Sequence, residues 1–291
     1  MIITILRRLV RLVLRKLLRF VGITPLEFLG LGLTKMMNAV NGELRRKKAK
    51  GQVIPGVISA DGSEQLKSYV SEAHAPWRSI SLAPADIPGV TSLEDRQYYS
   101  YIGRFYSGKG AAIELGPWLG RSTVAIVNGL IHNRHFTGKK LHVYDDFVWR
   151  SVWMNDYVPM TEQLENHACF QFLFERYTEP INKYVIVEKC KINSEDGNEH
   201  LPQLVWNRGP IEIMYIDCGR TFGVNQAWYD ICSPLFIPGV TLLLLQDWRT
   251  HSEVPVRWYN QIKQFVDSKG SQLQLVHELR DGGIAAFLYR R

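Results

Sequence analysis

Four acidic side chains stand at or near the ends of short apolar runs in this sequence. Such runs, bounded by turn-forming residues, predict buried strands. The carboxyl ends of parallel strands meet at one edge of a sheet, so these acids are expected to converge there. Carboxylates grouped in this way can accept hydrogen bonds from ligand hydroxyls, hold a cation or act as a general base. The four are Glu114, Asp145, Asp217 and Asp247.

A glycine turn follows the first of these runs. Residues 111–115 predict a buried strand, Gly116 and Gly120 predict a tight turn, and helical spacing begins at Ser122. Ser122 or the threonine after it is predicted to cap this helix. Glycines let a ligand approach the backbone, and the N–H groups of a helix start favour an anionic group. Trp118 at the middle position excludes the G-x-G-x-x-G fingerprint, and the spacing is one residue short of a P-loop.

The pattern Glu114-x-Gly116-x-x-x-Gly120-x-Ser122 resembles the first motif of class I S-adenosylmethionine-dependent methyltransferases. The similarity is greatest to the catechol, caffeoyl-CoA and macrocin O-methyltransferase branch. The resemblance implies S-adenosyl-L-methionine as cofactor, with the glycine turn under its methionine part. It also implies that Glu114 suits the ammonium group and that backbone N–H groups of the turn suit the carboxylate. A structural glycine turn in an unrelated α/β protein is the alternative for this stretch alone.

The second strand ends in an acid that suits a nucleoside. An acid at this point can accept both ribose hydroxyls, and the distance in sequence from Glu114 to Asp145 fits one strand, a helix and a strand. The resemblance places the ribose-binding acid at Asp145, with Asp146 pointing away. It also brings the residues just after the third strand near the adenine, which makes Asn193 a candidate. A turn or a cap is the alternative for the acid pair.

Asp217 and Asp247 match two of three metal-binding positions in the metal-dependent members of the resembled family. Those members have an Asp after the fourth strand, an Asp after the fifth, and an Asn next to it. The third position is Trp248, which cannot bind a metal. Two carboxylates and water can still hold Mg²⁺, so Mg²⁺ stays an option that Trp248 disfavours. Arg220 stands where related branches have Lys or His, and a salt bridge with Asp217 is its structural alternative.

Methyl transfer to a hydroxyl needs a group that removes the proton of that hydroxyl. Either a general base or a metal meets this need. The candidates are Asp247, His251 and Asp217. His251 lies in a loop four residues past Asp247, and a lone His is more often a surface residue.

The order of the apolar runs predicts an α/β protein. We expect a Rossmann-like methyltransferase fold, with a mostly parallel seven-stranded sheet, helices on both faces and a closing antiparallel hairpin. The expected strands cover residues 111–115, 141–144, 184–188, 211–216, 240–245, 273–277 and 284–289.

Three regions are expected along the chain. Residues 1–50 form a basic amphipathic N-terminal segment, and residues 51–92 an irregular lead-in with one short helix near 64–72. Residues 93–291 form the methyltransferase-like domain, which begins with a tyrosine-rich helix at 93–106. Residues 148–183 are an aromatic insert, which is either an acceptor-binding cap or a lid whose aromatic side chains belong to the core.

The net charge of +7 is concentrated at the N-terminus. Residues 1–50 carry 12 Lys and Arg against two Glu, which is +10, so the remainder sums to 7 − 10 = −3. This disfavours a nucleic-acid groove on the main domain. Residues 1–21 predict a helix with one basic and one apolar face, which suits an anionic membrane surface or packing on the protein body. The recurring charges exclude a membrane-spanning helix and a secretory signal.

These observations together predict the function only as a class. Four scattered cysteines indicate reduced thiols in a cytosolic protein. If residues 1–50 bind an anionic membrane surface, the protein is attached peripherally to the inner face of the membrane. The expected activity is O-methylation of a sugar or secondary-metabolite hydroxyl on a small-molecule or glycan acceptor, in polysaccharide or secondary metabolism. A non-catalytic module that binds a nucleoside or a partner is the alternative, supported by Trp248. A dehydrogenase is disfavoured by the glycine spacing. The patterns predict neither the acceptor's identity nor the oligomeric state.

Overall fold

The computed structural model describes residues 75–82, 86–249, 260–279 and 282–291. These residues form a seven-stranded sheet with the strand order β3-β2-β1-β4-β5-β7-β6. The strands are β1 Ala111–Leu115, β2 Leu141–Asp145, β3 Val185–Lys189, β4 Ile211–Ile216, β5 Leu242–Leu245, β6 Leu273–Glu278 and β7 Ala285–Tyr289.

The first five strands are parallel, and the last two close the sheet as an antiparallel pair beside β5. Leu115 at the end of β1 stands opposite Tyr144 of β2 and Ile216 of β4. Ile216 in turn stands opposite Leu245 of β5. The carboxyl ends of four strands are therefore level. This sheet, with its hairpin inserted after five parallel strands, has the class I methyltransferase fold that the sequence predicts.

Helices cover both faces of the sheet because its strands are apolar on both sides. Neighbouring residues of β4 belong to different hydrophobic clusters. Tyr215 packs with the cluster of the helices at Leu93–Gly103 and Arg121–Ile131, and Met214 with that of the helices at Phe222–Cys232 and Gln261–Ser268. Within the described ranges the α-helices are α1 Leu93–Gly103, α2 Arg121–Ile131, α3 Ser151–Met154, α4 Gln171–Thr178, α5 Phe222–Cys232 and α6 Gln261–Ser268.

The predicted boundaries of β1 and β4 are confirmed, and the other strands start or end within two residues of their predicted limits. The predicted cap of α2 is wrong. Helix α2 begins at Arg121, and Gly120, with φ 90°, is its N-cap. Ser122 and Thr123 already lie inside the helix, and their hydroxyls donate to a carboxylate of β1 instead. These two hydroxyl–carboxylate hydrogen bonds take the place of helix capping, and the spacing of residues in the sequence does not reveal them.

Three of the seven aromatic rings of the insert belong to the core. Trp149, Phe170 and Phe174 are fully buried. Phe147 packs edge-to-face with Phe170 and with Phe174, and Trp149 packs edge-to-face with Phe170. This supports the core interpretation for these side chains. Tyr157 is 39% exposed and remains a candidate for contact with an acceptor.

Several predicted elements lie outside the described residues. They are the N-terminal segment of residues 1–50, the helix near 64–72, and His251. Of the lead-in, the structure describes a 3-10 helix at Pro76–Ser79. Among the described helices, none has the length and apolar character needed to cross a membrane.

Candidate cofactor and active site

Backbone hydrogen bonds carry the alignment of the strands into the turns that follow them. The N–H of Gly116 donates to Tyr144 O over 2.9 Å, and the N–H of Asp217 donates to Leu115 O over 2.9 Å. The N–H of Gln246 donates to Ile216 O over 3.0 Å. The turns after β1, β2, β4 and β5 are thereby held together at one edge, which is where open α/β sheets bind ligands.

Glu114 lies beneath the glycine turn rather than on its surface. It is 2% exposed. Its Oε1 accepts a hydrogen bond from Ser122 Oγ and its Oε2 accepts one from Thr123 Oγ1, both over 2.6 Å. Burial raises the pKa of Glu114 to about 7, although the two hydroxyl donors oppose the shift. Glu114 therefore joins β1 to α2, and the roles of Glu114 and Ser122 towards a cofactor stay predictions.

The two glycines of the turn are required by packing within the protein. Gly116 has φ 81°, and a Cβ there would collide with the backbone oxygen of Asp217. A Cβ at Gly120 would collide with Thr178 and crowd Phe174, both in α4. The sequence motif attributes these glycines to the approach of a ligand. The described contacts add a second reason for both glycines, which is the close approach of protein atoms, and their role towards a cofactor stays a prediction.

Asp145 and Asp146 have separate environments although they are neighbours. Asp145 Oδ1 accepts from Phe147 N over 2.6 Å. Burial, and next the charge of Asp146, raise the pKa of Asp145 to about 8, while N–H groups of Phe147 and Trp118 oppose the shift. Trp118 belongs to the glycine turn, so Asp145 faces that turn. Asp145 is half-buried beside the glycine turn, and no basic side chain takes part in these hydrogen bonds. Such a carboxyl is suited to accept hydrogen bonds from ligand hydroxyls.

Asp146 points into a polar network that ties the insert to the loop after β3. Its Oδ2 accepts from Arg150 Nη2 over 2.7 Å and from Asn198 Nδ2 over 2.8 Å. Burial raises its pKa, but the hydrogen bonds and charge of Arg150 outweigh burial and hold the pKa below its ordinary value. Arg150 also pairs with Glu195 over 3.2 Å.

Asn193, the candidate for the adenine side, is exposed in this same loop. Its Oδ1 accepts from Ser194 N over 3.0 Å, and its Nδ2 would be 3.5 Å from a Cβ placed at Gly223. The loop after β3 therefore approaches the first turn of α5. This position is compatible with the wall of a nucleoside site, and the role of Asn193 stays a prediction.

Asp217, Asp247 and Arg220 form a charged group at the ends of β4 and β5. Burial, and next the charge of Asp247, raise the pKa of Asp217 well above its ordinary value, and Arg220 opposes this. The structural alternative for Arg220 is a salt bridge with Asp217, but Arg220 pairs with Asp247 instead. Arg220 Nε and Nη2 each lie 2.6 Å from Asp247 Oδ2. Asp247 has φ 59°, a left-handed conformation that sequence spacing does not reveal and that turns its side chain to Arg220.

The residues at this point do not fit a divalent metal. Trp248 is buried and packs edge-to-face on Phe287 at 5.0 Å, so its side chain offers no ligand atom. Arg220 already binds a carboxylate oxygen of Asp247. Among the described residues, no group of three or more His, Cys, Asp or Glu could hold a metal ion. The assignment of Asp217 and Asp247 as Mg²⁺ ligands finds no support in this geometry.

The tyrosine-rich helix predicted at 93–106 is α1, which begins at the predicted residue and ends earlier, at Gly103. It brings to the same edge side chains that sequence reasoning did not assign to the site. Tyr99 is buried, and its hydroxyl donates to Gln246 Oε1 over 2.8 Å. Asp95 accepts from Gly283 N over 2.9 Å and, with Ser92, forms the capping box of α1. Burial is the main cause that raises the pKa of both Asp95 and Tyr99. The Ser-x-x-Asp pattern at 92–95 was the available signal for this helix start.

The strand order and the acids at the strand ends define a class I methyltransferase fold. No protein-family model matches the chain, and no curated protein matches it in sequence.

Similar solved structures belong to the class of protein that the first motif resembles. One is an O-methyltransferase from Bacillus cereus in complex with S-adenosylhomocysteine (12% identity, 86% of this chain and 97% of that chain covered, TM-score 0.45). A second is the Podospora anserina methyltransferase PaMTH1 bound to S-adenosylhomocysteine (12% identity, 83% of this chain and 100% of that chain covered, TM-score 0.47). A third is CalS11, a TDP-rhamnose 3'-O-methyltransferase of calicheamicin biosynthesis (10% identity, 80% of this chain and 97% of that chain covered, TM-score 0.41). At these values the fold assignment rests on the strand order itself.

Proposed function

We propose that the chain is an S-adenosyl-L-methionine-dependent methyltransferase that methylates a hydroxyl oxygen of a small-molecule or glycan acceptor. The observation that carries this proposal is the grouping of strand-end acids at one edge of a sheet with this strand order. The acids are Glu114, Asp145, Asp217 and Asp247.

The chemistry of these acids fits the cofactor. S-adenosyl-L-methionine is positively charged at its sulfonium and ammonium groups and offers two ribose hydroxyls as donors. When bound, it supplies a methyl group that an oxygen nucleophile can accept. Burial raises the pKa of Glu114 to about 7 and, together with Asp146, that of Asp145 to about 8. A cation or a hydroxyl donor nearby favours the ionised form of such carboxyls and gains binding free energy by doing so.

Asp217 is the best candidate for the general base among the described residues. It stands directly after β4 in the acid group, and burial raises the pKa of its carboxyl well above its ordinary value, which makes the carboxylate a stronger base than an exposed Asp. Asp247 is held by Arg220, which leaves Asp247 to orient that cation and to raise the basicity of Asp217. His251 keeps its place as a predicted alternative outside the described residues. The protein's main contribution beyond the base is to hold the acceptor oxygen in line with the methyl group.

Only the chemical class of the acceptor is proposed. The sequence's similarity to the macrocin branch favours a sugar or polyketide-like hydroxyl. The rings of Trp118, Trp153 and Tyr157 pack together at the glycine turn. The ring centroids of Trp118 and Trp153 are 5.0 Å apart, and those of Trp153 and Tyr157 are 6.5 Å apart. Val152 beside them is 66% exposed. An apolar and aromatic surface at the edge of the site suits the ring face of such an acceptor.

Calorimetry on the full chain tests the cofactor. S-adenosylhomocysteine should bind at micromolar level, and NAD should not bind. Tight NAD binding without any response to S-adenosylhomocysteine would contradict the proposal and favour a dehydrogenase.

A non-catalytic binding module is the second candidate. The specific observations that favour it are Trp248 at the third metal position and the engagement of Asp247 by Arg220. The two candidates differ in turnover. Labelled methyl from S-adenosyl-L-methionine should appear on at least one of a panel of hydroxylated sugars and polyketides if the chain is an enzyme. Binding of S-adenosylhomocysteine with no transfer across the panel favours the module.

A further inference from the structure

One basic side chain lies in the acidic crevice, which is the site of Asp217 and Asp247 at the carboxyl ends of β4 and β5. Arg220 lies four residues past the end of β4, and its Nε and Nη2 both contact Asp247 Oδ2 at 2.6 Å. Two N–H groups on one carboxylate oxygen make a strong, charge-assisted contact. Asp217 stands next to this pair, and the positive charge of Arg220 acts on it as well. The guanidinium therefore binds Asp247 directly, and its charge opposes the raised pKa of Asp217. These are the two positions that the metal-dependent members of the resembled family give to a cation.

The backbone is arranged for this contact. Asp247 has φ 59°, a left-handed conformation that is unfavourable for an L residue and that persists where its surroundings hold it. The turn is held on both sides, because Gln246 N donates to Ile216 O over 3.0 Å and Trp248 N donates to Gly283 O over 2.8 Å. Trp248, which takes the third ligand position, is buried against Phe287.

We propose that the guanidinium of Arg220 takes the place of a divalent cation between Asp217 and Asp247, so that this crevice works without a bound metal. The proposal rests on the proposed function for its meaning in methyl transfer, but its geometry does not depend on that function. In this arrangement Arg220 supplies fixed positive charge at the point where the acceptor oxygen would become negative, and it holds Asp247 in place. A positive charge that is part of the chain repels Mg²⁺ or Mn²⁺ from the same carboxylates.

Manganese binding tests the proposal without any acceptor. Mn²⁺ alone is titrated into the full chain and followed by the electron paramagnetic resonance signal of the free ion. Wild type should bind no Mn²⁺ that depends on Asp217. Arg220→Ala should gain one site, with an affinity at least tenfold above wild type, and the double variant Arg220→Ala with Asp217→Asn should lose it.

The chain offers a matched control. Arg208 contacts Glu188 at 2.6 Å, and the two arginines are similarly exposed, at 41% for Arg208 and 43% for Arg220. Arg208→Ala removes the same kind of surface ion pair away from the acid group and should gain no site. Arg220→Gln keeps most of the side chain's volume and replaces the alanine variant if that variant does not fold.

Two results would overturn the proposal. One is stoichiometric Mn²⁺ binding by wild type that Asp217→Asn removes, because a metal then displaces Arg220. The other is a folded Arg220→Ala or Arg220→Gln variant that gains no Mn²⁺ site, because the guanidinium is then not what excludes the cation. Calorimetry with S-adenosylhomocysteine on the same samples reports on the proposed function separately. A wild type that binds neither ligand, with Mn²⁺ gained in Arg220→Ala, would keep this proposal and remove the methyltransferase.

Discussion

The carboxylate of Glu114 and the hydroxyl of Ser122 are joined by a hydrogen bond of 2.6 Å, which links the central strand to the first turn of α2. Thr123 donates to the other carboxylate oxygen. Because Glu114 is buried without a basic partner in these bonds, its charge is costly to the folded state. The same residue is a candidate for the cofactor's ammonium, so binding and stability depend on one titration.

We predict that Glu114 makes the protein less stable as pH rises. Its pKa lies near 4.5 in the unfolded chain and is raised by burial to about 7 in the fold. Between these values the folded state binds more protons, so the free energy of unfolding falls from about pH 4.5 to pH 7 and is level above. The shift corresponds to on the order of 3 kcal/mol. Urea denaturation of Glu114→Gln across this window should show a flatter profile than wild type.

Glu175→Gln, which changes an exposed carboxylate of α4, is the control and should keep the wild-type profile. Equal slopes for wild type and Glu114→Gln would mean that Glu114 is ionised in the fold throughout the window.

A second prediction concerns the glycine turn. Gly116→Ala adds a Cβ that collides with the backbone of Asp217, and a backbone neighbour cannot move aside as a side chain can. Gly209 also has a positive φ, of 90°, but no atom lies within 4 Å of a Cβ placed there. Gly209→Ala therefore costs only the conformational part, about 1 kcal/mol. Gly116→Ala should lower the free energy of unfolding by at least 2 kcal/mol more than this control.

This expectation differs from the one the motif alone gives. If the glycine turn only makes room for a ligand, Gly116→Val should abolish cofactor binding and leave the fold intact. Denaturation curves for Gly116→Ala and Gly209→Ala that coincide would restore the ligand explanation.

The sequence is informative about the sheet because strand signals are local. Residues 111–115 and 211–216 are apolar runs between turn formers, and both strands have these limits. The hairpin at the edge follows from two such runs around a glycine pair. The approach of acids to the carboxyl edge then follows from parallel strands, and it brings Asp217 and Asp247 together as expected.

Contacts between distant residues could not be predicted in the same way. The pairing of Arg220 with Asp247 depends on the left-handed conformation of Asp247, which no spacing encodes. Tyr99 reaches Gln246 across 147 positions of the chain. The glycines at 116 and 120 look like a ligand cradle in sequence, although their neighbours in space are protein atoms. Local pattern gives the elements, and the packing between them decides which groups meet.

A third prediction concerns Asp145 and the ribose. If ribose hydroxyls donate to this carboxyl, S-adenosylhomocysteine favours its ionised form, and the pKa of the free site is raised by burial to about 8. Affinity should therefore increase as pH rises through about 8 and then level off, with protons released on binding. Calorimetry in buffers of different ionisation enthalpy measures that release. Asp145→Asn should bind about tenfold or more weakly, which is about 1.4 kcal/mol, and should lose the pH dependence.

Asp156→Asn is the matched control, because Asp156 is exposed in the insert. It should bind as wild type does. An affinity for S-adenosylhomocysteine that is independent of pH in wild type, and unchanged in Asp145→Asn, would place the ribose elsewhere.

The last prediction concerns residues 1–50, which lie outside the described residues and carry a charge of +10. Each Lys or Arg near an anionic lipid surface contributes roughly 1 kcal/mol, and an apolar helix face adds to that. Deleting residues 1–21 should release the protein from anionic liposomes in sedimentation and leave binding of S-adenosylhomocysteine intact.

Salt separates the two contributions to liposome binding, because the electrostatic part is screened at high ionic strength and the apolar part persists. Neutral liposomes, which lack the anionic attraction, are the control and should bind wild type far less. A deletion that leaves liposome binding unchanged and makes the remaining chain aggregate would assign the apolar face of residues 1–21 to the protein core. The basic residues of that segment would then form a solvated surface, and the peripheral membrane attachment would be wrong.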